Sequence, residues 1–272
     1  MKDYQSELQD LRHLRWAKSR GSSGTAGSFL KSYENTGARK RYYKLSDYDV
    51  TRGIVGHECF NEIIAQRLLE HLGIAHLSYR LIHALVSMDG GDHETWLCGS
   101  EDFKERGERK LALEDYYVLE RQDDESPLDF CLRMGWQEQI YGMLAIDFLI
   151  LNRDRHGANL EVLMDRKNRS VRLAPLFDHG VSLVCRCHDV GELKAFDVMK
   201  DQKVQSFIGG NSVSDNLRLV PMTWLKGLPE ITDRDLSRIL SEPINILGKP
   251  YVTKIREMLQ RRWETLERFR NS

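Results

Sequence analysis

The sequence has no apolar run long enough to cross a membrane. No stretch of about 18 consecutive apolar residues occurs in its 272 residues. The segment Met1–Arg15 is charged throughout and has no apolar core of the kind that a secretory signal peptide requires. We therefore expect a cytoplasmic protein without a membrane partner.

Cysteine pairs and a surplus of positive charge are also missing. The five cysteines are odd in number and scattered, so we expect reduced thiols. Cys185, Cys187 and His188 could suggest metal ligands, but no second pair follows at a structural-zinc spacing. The net charge of −1 does not indicate a generally basic surface. We expect no direct nucleic-acid partner, although a local basic patch is possible.

The N-terminal part alternates between loop and strand patterns. Residues 1–18 carry leucines at helical spacing, which fits a short helix or a partly ordered lead-in. Residues 19–37 are rich in Gly and Ser and predict a loop, interrupted by a short strand around Phe29–Tyr33. Arg41–Leu45 predicts a strand.

A helix and two more strands follow. Gly56–Leu72 has apolar residues at helical spacing and ends at Gly73. Ser78–Val86 and Glu94–Gly99 then predict a pair of strands. The order is loop, strand, helix and two strands.

From about Leu111 the chain is largely helical. Trp136–Leu151 has the pattern of a buried helix, on which Asp147 should be a hydrogen-bonded structural residue. Two or three helices should follow Thr232, whose spacing to Asp235 suits an N-terminal cap. Gly248-Lys249-Pro250 should break that run.

The central segment from Asn152 to Leu183 combines a polar loop with two strand patterns. Leu160–Met164 and Val171–Leu176 predict strands joined by a turn. The open ends of an antiparallel hairpin are neighbours, so Asn159 and Asp178 should lie close together. Their amide and carboxylate oxygens are ligands that Mg²⁺ prefers. We therefore predict a magnesium site there.

The spacing of these residues is typical of phosphoryl transfer. Protein kinases use Asp-x-x-x-x-Asn followed by Asp-Phe-Gly. Here Asp154 and Asn159 have the Asp-x-x-x-x-Asn spacing, and Asp178-His179-Gly180 stands where protein kinases have Asp-Phe-Gly. Asp154 would orient the attacking hydroxyl and accept its proton. A serine hydrolase is unsupported, since no Gly-x-Ser-x-Gly elbow occurs.

The N-terminal half offers the remaining parts of a nucleotide site. The segment Gly21–Ser28 has small residues that could let backbone N–H groups approach phosphates, although it is not a Walker A motif. Lys44 could reach the α- and β-phosphates. Glu62 could hold Lys44, and Glu58, one turn away, is the alternative.

These features predict an α+β fold with two lobes, like a protein kinase. Residues 1–105 would form a small, β-rich N-lobe, and residues 106–272 a mainly helical C-lobe. ATP would bind between them with Mg²⁺.

The segments DFLILNRDRHGANLEVL and LAPLFDHG resemble the catalytic core of the HipA-like kinases. These are bacterial serine/threonine kinases, often toxins of toxin–antitoxin pairs, and are distantly similar to phosphatidylinositol kinases. The resemblance implies that Asp154 is the catalytic base, that Asn159 and Asp178 bind Mg²⁺, and that Lys44 binds the ATP phosphates. It implies autophosphorylation in the Gly/Ser loop, and it implies that the stretch Cys98–Phe103 holds the adenine through its backbone. Residues that would contact the nucleotide are Ser22, Ser23, Gly24, Thr25, Ser28, Lys44, Glu62, Glu101, Phe103 and His156.

The resemblance also suggests partners. Longer family members have an extra N-terminal subdomain, which we expect to be missing because only about twenty residues precede the Gly/Ser loop. A separate small antitoxin protein could supply it. Aminoacyl-tRNA synthetases are candidate protein substrates by analogy with some relatives.

Three other interpretations stay open. A lipid kinase would share the central motif, but residues 184–220 have mixed charge and modest apolar content. A catalytically silent nucleotide-binding module is disfavoured because Asp154, Asn159 and Asp178 are all present. A repressor component would need a DNA-binding partner, since the sequence has no evident helix-turn-helix.

Overall fold

The computed structural model describes residues 2–20, 26–37 and 39–272. The strands are β1 Tyr4–Asp10, β2 Ala17–Arg20, β3 Ala26–Thr36, β4 Arg39–Lys44, β5 Tyr48–Asp49, β6 Gly53–Ile54, β7 Tyr79–Met88, β8 Gly91–Glu101, β9 Glu108–Ala112, β10 Asp154–Arg155, β11 Glu161–Asp165, β12 Ser170–Leu173 and β13 Gln205–Ser206. The helices are α1 Glu58–Leu72, α2 Leu113–Glu120, α3 Pro127–Arg133, α4 Gln137–Ile150, α5 Val190–Ala195, α6 Val213–Leu217, α7 Met222–Lys226, α8 Asp233–Ile239 and α9 Lys249–Arg270, with 3₁₀ turns at Gly157–Asn159 and Ile244–Leu247.

The N-terminal half is built on a six-stranded sheet with the order β1-β7-β8-β4-β3-β2. Strand β1 runs parallel to β7, and the other neighbours are antiparallel. Helix α1 is buried along most of its length and packs on β7 and β8. It ends at Gly73, whose left-handed backbone (φ 71°) costs little in a residue without a Cβ.

The C-terminal half packs around α4, whose side chains from Ile140 to Ile150 are nearly all buried. Helix α9 presents one apolar stripe to this core, since Ile255, Met258, Leu259 and Trp263 are buried at helical spacing. Beside the helices, a three-stranded sheet has the order β12-β11-β9. Strands β11 and β12 form the expected antiparallel hairpin, with Val162 opposite Leu173.

At the N-terminus, the helix predicted for residues 1–18 is wrong. Tyr4–Asp10 forms a strand, and Leu8 is 49% exposed. Leu14 is buried, whereas Leu11 only packs against the edge of its cluster. The leucine spacing therefore came from a strand followed by a bend, and pairing with β7 decided the conformation.

Within residues 19–37, where the sequence predicts a loop with a short strand, the described part forms a longer strand. The described part contains β3, an eleven-residue strand from Ala26 to Thr36 that pairs with β2 and β4. Residues 21–25 lie outside the described residues. Pairing on both sides of β3 supplies the hydrogen bonds that its local composition does not predict.

The other elements are confirmed within a few residues. These include the strand with Lys44, helix α1, the pair β7 and β8, and the buried helix α4. Thr232 and Asp235 form a capping box at the start of α8, and the last helix begins at Lys249, after Gly248. The division between residues 105 and 106 falls in the turn between β8 and β9 and stays a prediction. Over the described chain, no helix is both long enough and apolar enough to span a bilayer.

Candidate active site

A cavity of about 1110 Å³ lies between the large sheet and the C-terminal half. Four residues singled out in the sequence line it together: Lys44, Asp154, Asn159 and Asp178. They come from β4, β10, a 3₁₀ turn and the segment after β12. Residues far apart in the sequence therefore meet at one cleft.

Lys44 is held by two carboxylates inside this cleft. Its Nζ donates to Glu62 Oε1 at 3.0 Å, and it also donates to Asp178 Oδ1. Burial alone would lower the pKa of Lys44, but the charges of Asp178 and Glu62 raise it well above its usual value. The Lys44 side chain is therefore a fixed, positively charged group.

Helix α1 selects Glu62 over Glu58 as the partner of Lys44. Glu58 instead accepts a hydrogen bond from the Asp47 backbone N–H at 3.0 Å. Glu62 Oε2 accepts from the His179 backbone N–H at 2.8 Å. Because Glu62 contacts both Lys44 and the segment after Asp178, it connects the sheet to the segment that carries Asp178.

Asp178 has a strained backbone in a highly charged position. Its φ of 60° lies in the left-handed region, which non-glycine residues adopt at a cost of about 1 kcal/mol or more. Burial would raise the pKa of this carboxyl, but Lys44, Lys31 and Arg155 hold it well below its usual range. Its backbone N–H donates to the Tyr79 hydroxyl at 3.2 Å. Asp178 is therefore an ionised carboxylate held in a specific geometry.

Gly180 has a spatial reason to be a glycine. A Cβ at this position would lie 3.0 Å from Glu58 Cβ and 3.3 Å from Glu62 Oε1. Asn61 on α1 donates to the carbonyls of Gly180 and Ser182 at 2.9 and 3.0 Å. The segment after Asp178 thus lies directly against α1, and a side chain would disturb Glu62.

Asp154 lies at the mouth of the cleft beside His156. The His156 Nε2 atom is 3.4 Å from Asp154 Oδ1, and the Asp154 side chain is 35% exposed. An accessible carboxylate of this kind can accept a proton from a hydroxyl group that enters the cleft.

A buried ion pair supports the loop that carries Asp154. Arg155 donates to both Asp147 oxygens at 2.9 Å and to the Phe177 carbonyl at 2.7 Å. Asp147 also accepts from Asn152 Nδ2 at 2.9 Å. Asp147 is therefore the hydrogen-bonded structural residue that its sequence pattern predicts, and through Arg155 it is connected to the residue before Asp178.

Asn159 and Asp178 line the same cavity and are the two residues that could hold a magnesium ion there. Asn159 Nδ2 donates to the Asp154 carbonyl at 2.7 Å, so the amide oxygen is the side-chain atom left for a cation. Mg²⁺ commonly takes one or two protein oxygens and completes its shell with phosphate and water. Within the described residues, no group of three or more His, Cys, Asp or Glu could hold a metal. A two-ligand site completed by a nucleotide agrees with both observations.

Two aromatic rings and two charged side chains line another part of the cavity: Phe103, Phe177, Lys110 and Glu161. Phe103 and Phe177 stack with ring centroids 5.8 Å apart, and Lys110 Nζ lies 3.9 Å from the Phe103 centroid. Glu161 Oε2 is buried without a hydrogen-bond partner and lies 3.8 Å from Lys110 Nζ. Burial raises the pKa of Glu161.

The structure does not bring the other predicted nucleotide contacts to the cavity wall or does not describe them. The Glu101 side chain is exposed, lies within 4.0 Å of Arg39 and Arg41, and is not part of the cavity wall. A contact through its backbone stays a prediction. Ser28 lies in β3, whereas Ser22, Ser23, Gly24 and Thr25 lie outside the described residues.

Sequence reasoning missed the segment around Gln205, which borders the cleft near Asp154. Strand β13 pairs with β10 in parallel, with Gln205 opposite Asp154. The N–H groups of Gln205 and Phe207 donate to the carbonyls of Arg153 and Arg155 at 2.9 Å. A two-residue strand has no periodicity to find, so the sequence held no signal for it.

The basic and acidic residues on the cavity wall were also missed. Lys31, Lys110 and Glu161 all line the cavity. Each lies in a strand where a charged residue is most simply read as solvent-exposed. Only the position of the two halves of the protein turns them toward a shared cleft.

No family model and no curated protein sequence matches this chain. Solved structures do match. The chain is similar to the crystal structure of the proinflammatory kinase CtkA from Helicobacter pylori, with a TM-score of 0.66 and 15% identity over 96% of this chain and 97% of that one. A second match is WaaP in complex with acyl carrier protein, at a TM-score of 0.39 and 14% identity over 95% and 89% of the two chains. The first likeness shows the fold and does not single out the HipA-like family: the chain has the α+β, two-lobed fold of a kinase.

Proposed function

We propose that this protein is an ATP- and Mg²⁺-dependent kinase that transfers a γ-phosphoryl group to a serine or threonine of a protein. The observation that supports this most directly is the meeting of Lys44, Glu62, Asp154, Asn159 and Asp178 at one cleft. These are the residue types and the positions that phosphoryl transfer requires.

The chemistry follows from the placement of the charges. Asp154 accepts the proton of the substrate hydroxyl as its oxygen forms a bond to the γ-phosphorus. The bond from the γ-phosphorus to the β–γ bridging oxygen breaks, and ADP leaves. Lys44 holds the α- and β-phosphates, and Asn159 with Asp178 would bind Mg²⁺, which neutralises the phosphate charge.

The HipA-like assignment and its consequences belong to this proposal. Autophosphorylation would fall on Ser22, Ser23, Thr25 or Ser28 and would limit the activity. A toxin role with a small antitoxin partner, and an aminoacyl-tRNA synthetase substrate, extend the same family likeness. The protein would act in the cytoplasm.

A labelling assay tests the proposal. Purified protein is incubated with [γ-³²P]ATP and Mg²⁺, alone and with a bacterial lysate, and labelled peptides are mapped by mass spectrometry. We expect label on serine or threonine that disappears in Asp154→Asn and Asp178→Asn. Asp215→Asn is the matched control, since Asp215 is an exposed residue paired with Arg218.

Calorimetry distinguishes the proposed catalytic base, Asp154, from the proposed Mg²⁺ ligand, Asp178. Asp154→Asn should still bind ATP with Mg²⁺, whereas Asp178→Asn should lose the Mg²⁺-dependent part of the affinity. Absence of both ATP binding and labelling in the wild type would refute the proposal. Binding without labelling would favour the silent module instead.

A further inference from the structure

The lysine at position 31 directly faces the lysine at position 44. In the antiparallel pair of β3 and β4, Lys31 is the register partner of Lys44. Directly opposed residues project from the same face of a sheet with Cβ atoms about 5 Å apart. Both side chains accordingly reach into the cleft, and both line its cavity.

Two like charges opposite one another on a sheet are unfavourable unless an anion lies between them. Here the anion is Asp178: Lys44 donates to its Oδ1, and Lys31 Nζ is 3.9 Å from its Oδ2. Lys44 has Glu62 as a second partner. Over the described chain, Asp178 is the only ion-pair partner recorded for Lys31.

Binding of Mg²⁺ at Asp178 would change this balance. A carboxylate that coordinates a cation is a weaker partner for a nearby ammonium group, and the bound cation repels that group. The Lys31 side chain is about one-third exposed, so it has room to turn. Glu161 also feels the charge of Lys31, but it has Lys110 as its own ion-pair partner. A nucleotide phosphate held by Lys44 would bring further anionic oxygens to the side of the cleft where Lys31 lies.

We propose that Lys31 is a second phosphate-binding lysine, which leaves Asp178 to the metal and contacts a phosphate oxygen of the bound nucleotide. This inference rests on the proposed nucleotide site and adds a residue to it. It also gives the opposed lysine pair a purpose, because the phosphates replace Asp178 as the anion between the two ammonium groups.

Calorimetry on Lys31→Ala, Lys31→Arg and the wild type tests this, with ATP, ADP and adenosine as ligands in the presence of Mg²⁺. Lys31→Ala should weaken ATP binding by about tenfold to a hundredfold, the range for a lost hydrogen bond between charged groups, and should leave adenosine binding unchanged. Lys31→Arg should retain most of the affinity. Lys40→Ala is the matched control, since Lys40 lies over Tyr33 on the neighbouring strand and not on the cavity wall.

The other outcomes are equally decisive. Unchanged or tighter ATP binding by Lys31→Ala would show that Lys31 only pairs with Asp178, and would overturn the inference while the nucleotide site stands. An equal loss of adenosine and ATP binding would show a structural role and would also overturn it. Failure of the wild type to bind any of the ligands would remove the proposed function and the inference together.

Discussion

Lys44 Nζ lies 3.0 Å from Glu62 Oε1, and both side chains are buried between α1 and the sheet. Replacement of Glu62 by Gln removes the charge that holds Lys44 and keeps the size of the side chain. We expect phosphoryl transfer to fall by about tenfold or more, which is about 1.4 kcal/mol of transition-state stabilisation. The rate of ATP-dependent labelling measures this.

Glu58→Gln is the matched control for that experiment. Glu58 lies one turn away on the same helix, is also buried, and accepts from the Asp47 N–H. Burial raises its pKa, so loss of its charge costs less than at Glu62. Similar losses of activity in both variants would contradict the specific role of Glu62.

Asp147→Asn should destabilise the protein. The change leaves Arg155, which is fully buried, without its charged partner. Breaking a buried ion pair costs about 3–5 kcal/mol. Urea unfolding should show this loss, whereas Asp215→Asn at the exposed pair with Arg218 should change stability by less than about 1 kcal/mol. Equal stability of the two variants would argue against the bracing role.

Stability should fall in mild acid because of His57. Burial and then the charge of His188 lower the pKa of His57 from 6.5 to about 4. Between these two pH values the unfolded chain binds a proton that the folded protein does not, so stability is complete above pH 6.5 and declines toward pH 4. The decline attributable to this group is at most about 3 kcal/mol.

His57→Gln isolates that contribution. Burial also lowers the pKa of His179, so the wild type and the variant share the acid sensitivity that comes from there. Urea unfolding at several pH values should give a shallower slope for the variant between pH 4 and 6.5. Identical slopes would exclude His57 as a source.

Thr232→Ala should lower the stability of the protein without changing the proposed phosphoryl transfer. The Thr232 side chain accepts from the Asp235 N–H at 3.2 Å, and Asp235 bonds back to the Thr232 N–H at 3.1 Å. Loss of such a cap costs about 1 kcal/mol. Thermal unfolding should show that decrease while labelling activity, corrected for folded protein, stays the same. A matching fall in activity would mean that α8 communicates with the cleft.

Features of the site that depend on a short stretch of sequence could be predicted, whereas those that depend on long-range packing could not. The spacing of Asp154, Asn159 and Asp178 and the hairpin between them could be predicted, because turn chemistry and strand alternation lie within a short segment. The choice between Glu62 and Glu58 could not, because both lie one turn apart on the same helix and only its rotation against the sheet decides between them.

The missed features share a different cause. Strand β1 forms by pairing with β7, and Lys31 reaches Asp178 only after the sheet and the C-terminal half are assembled. Neither contact produces a periodic pattern of residues in the sequence. At both places the tertiary environment, and not the local sequence, decides the structure. Charged residues that line a cleft look the same in a sequence as charged residues on a solvated face.

Arg67 on α1 contacts both the segment before β1 and the segment at the end of α8. Its guanidinium donates to Asp3 before β1 and to the carbonyls of Ile239, Ser241 and Glu242 at the end of α8, five hydrogen bonds in all. To swing outward, α1 would have to break these bonds together. Glu62 lies on the same helix, so these bonds also hold it beside Lys44. In the proposed kinase, Lys44 and Glu62 would already be paired before ATP binds, so we expect turnover to depend on access to the cleft and on product release and not on a movement of α1.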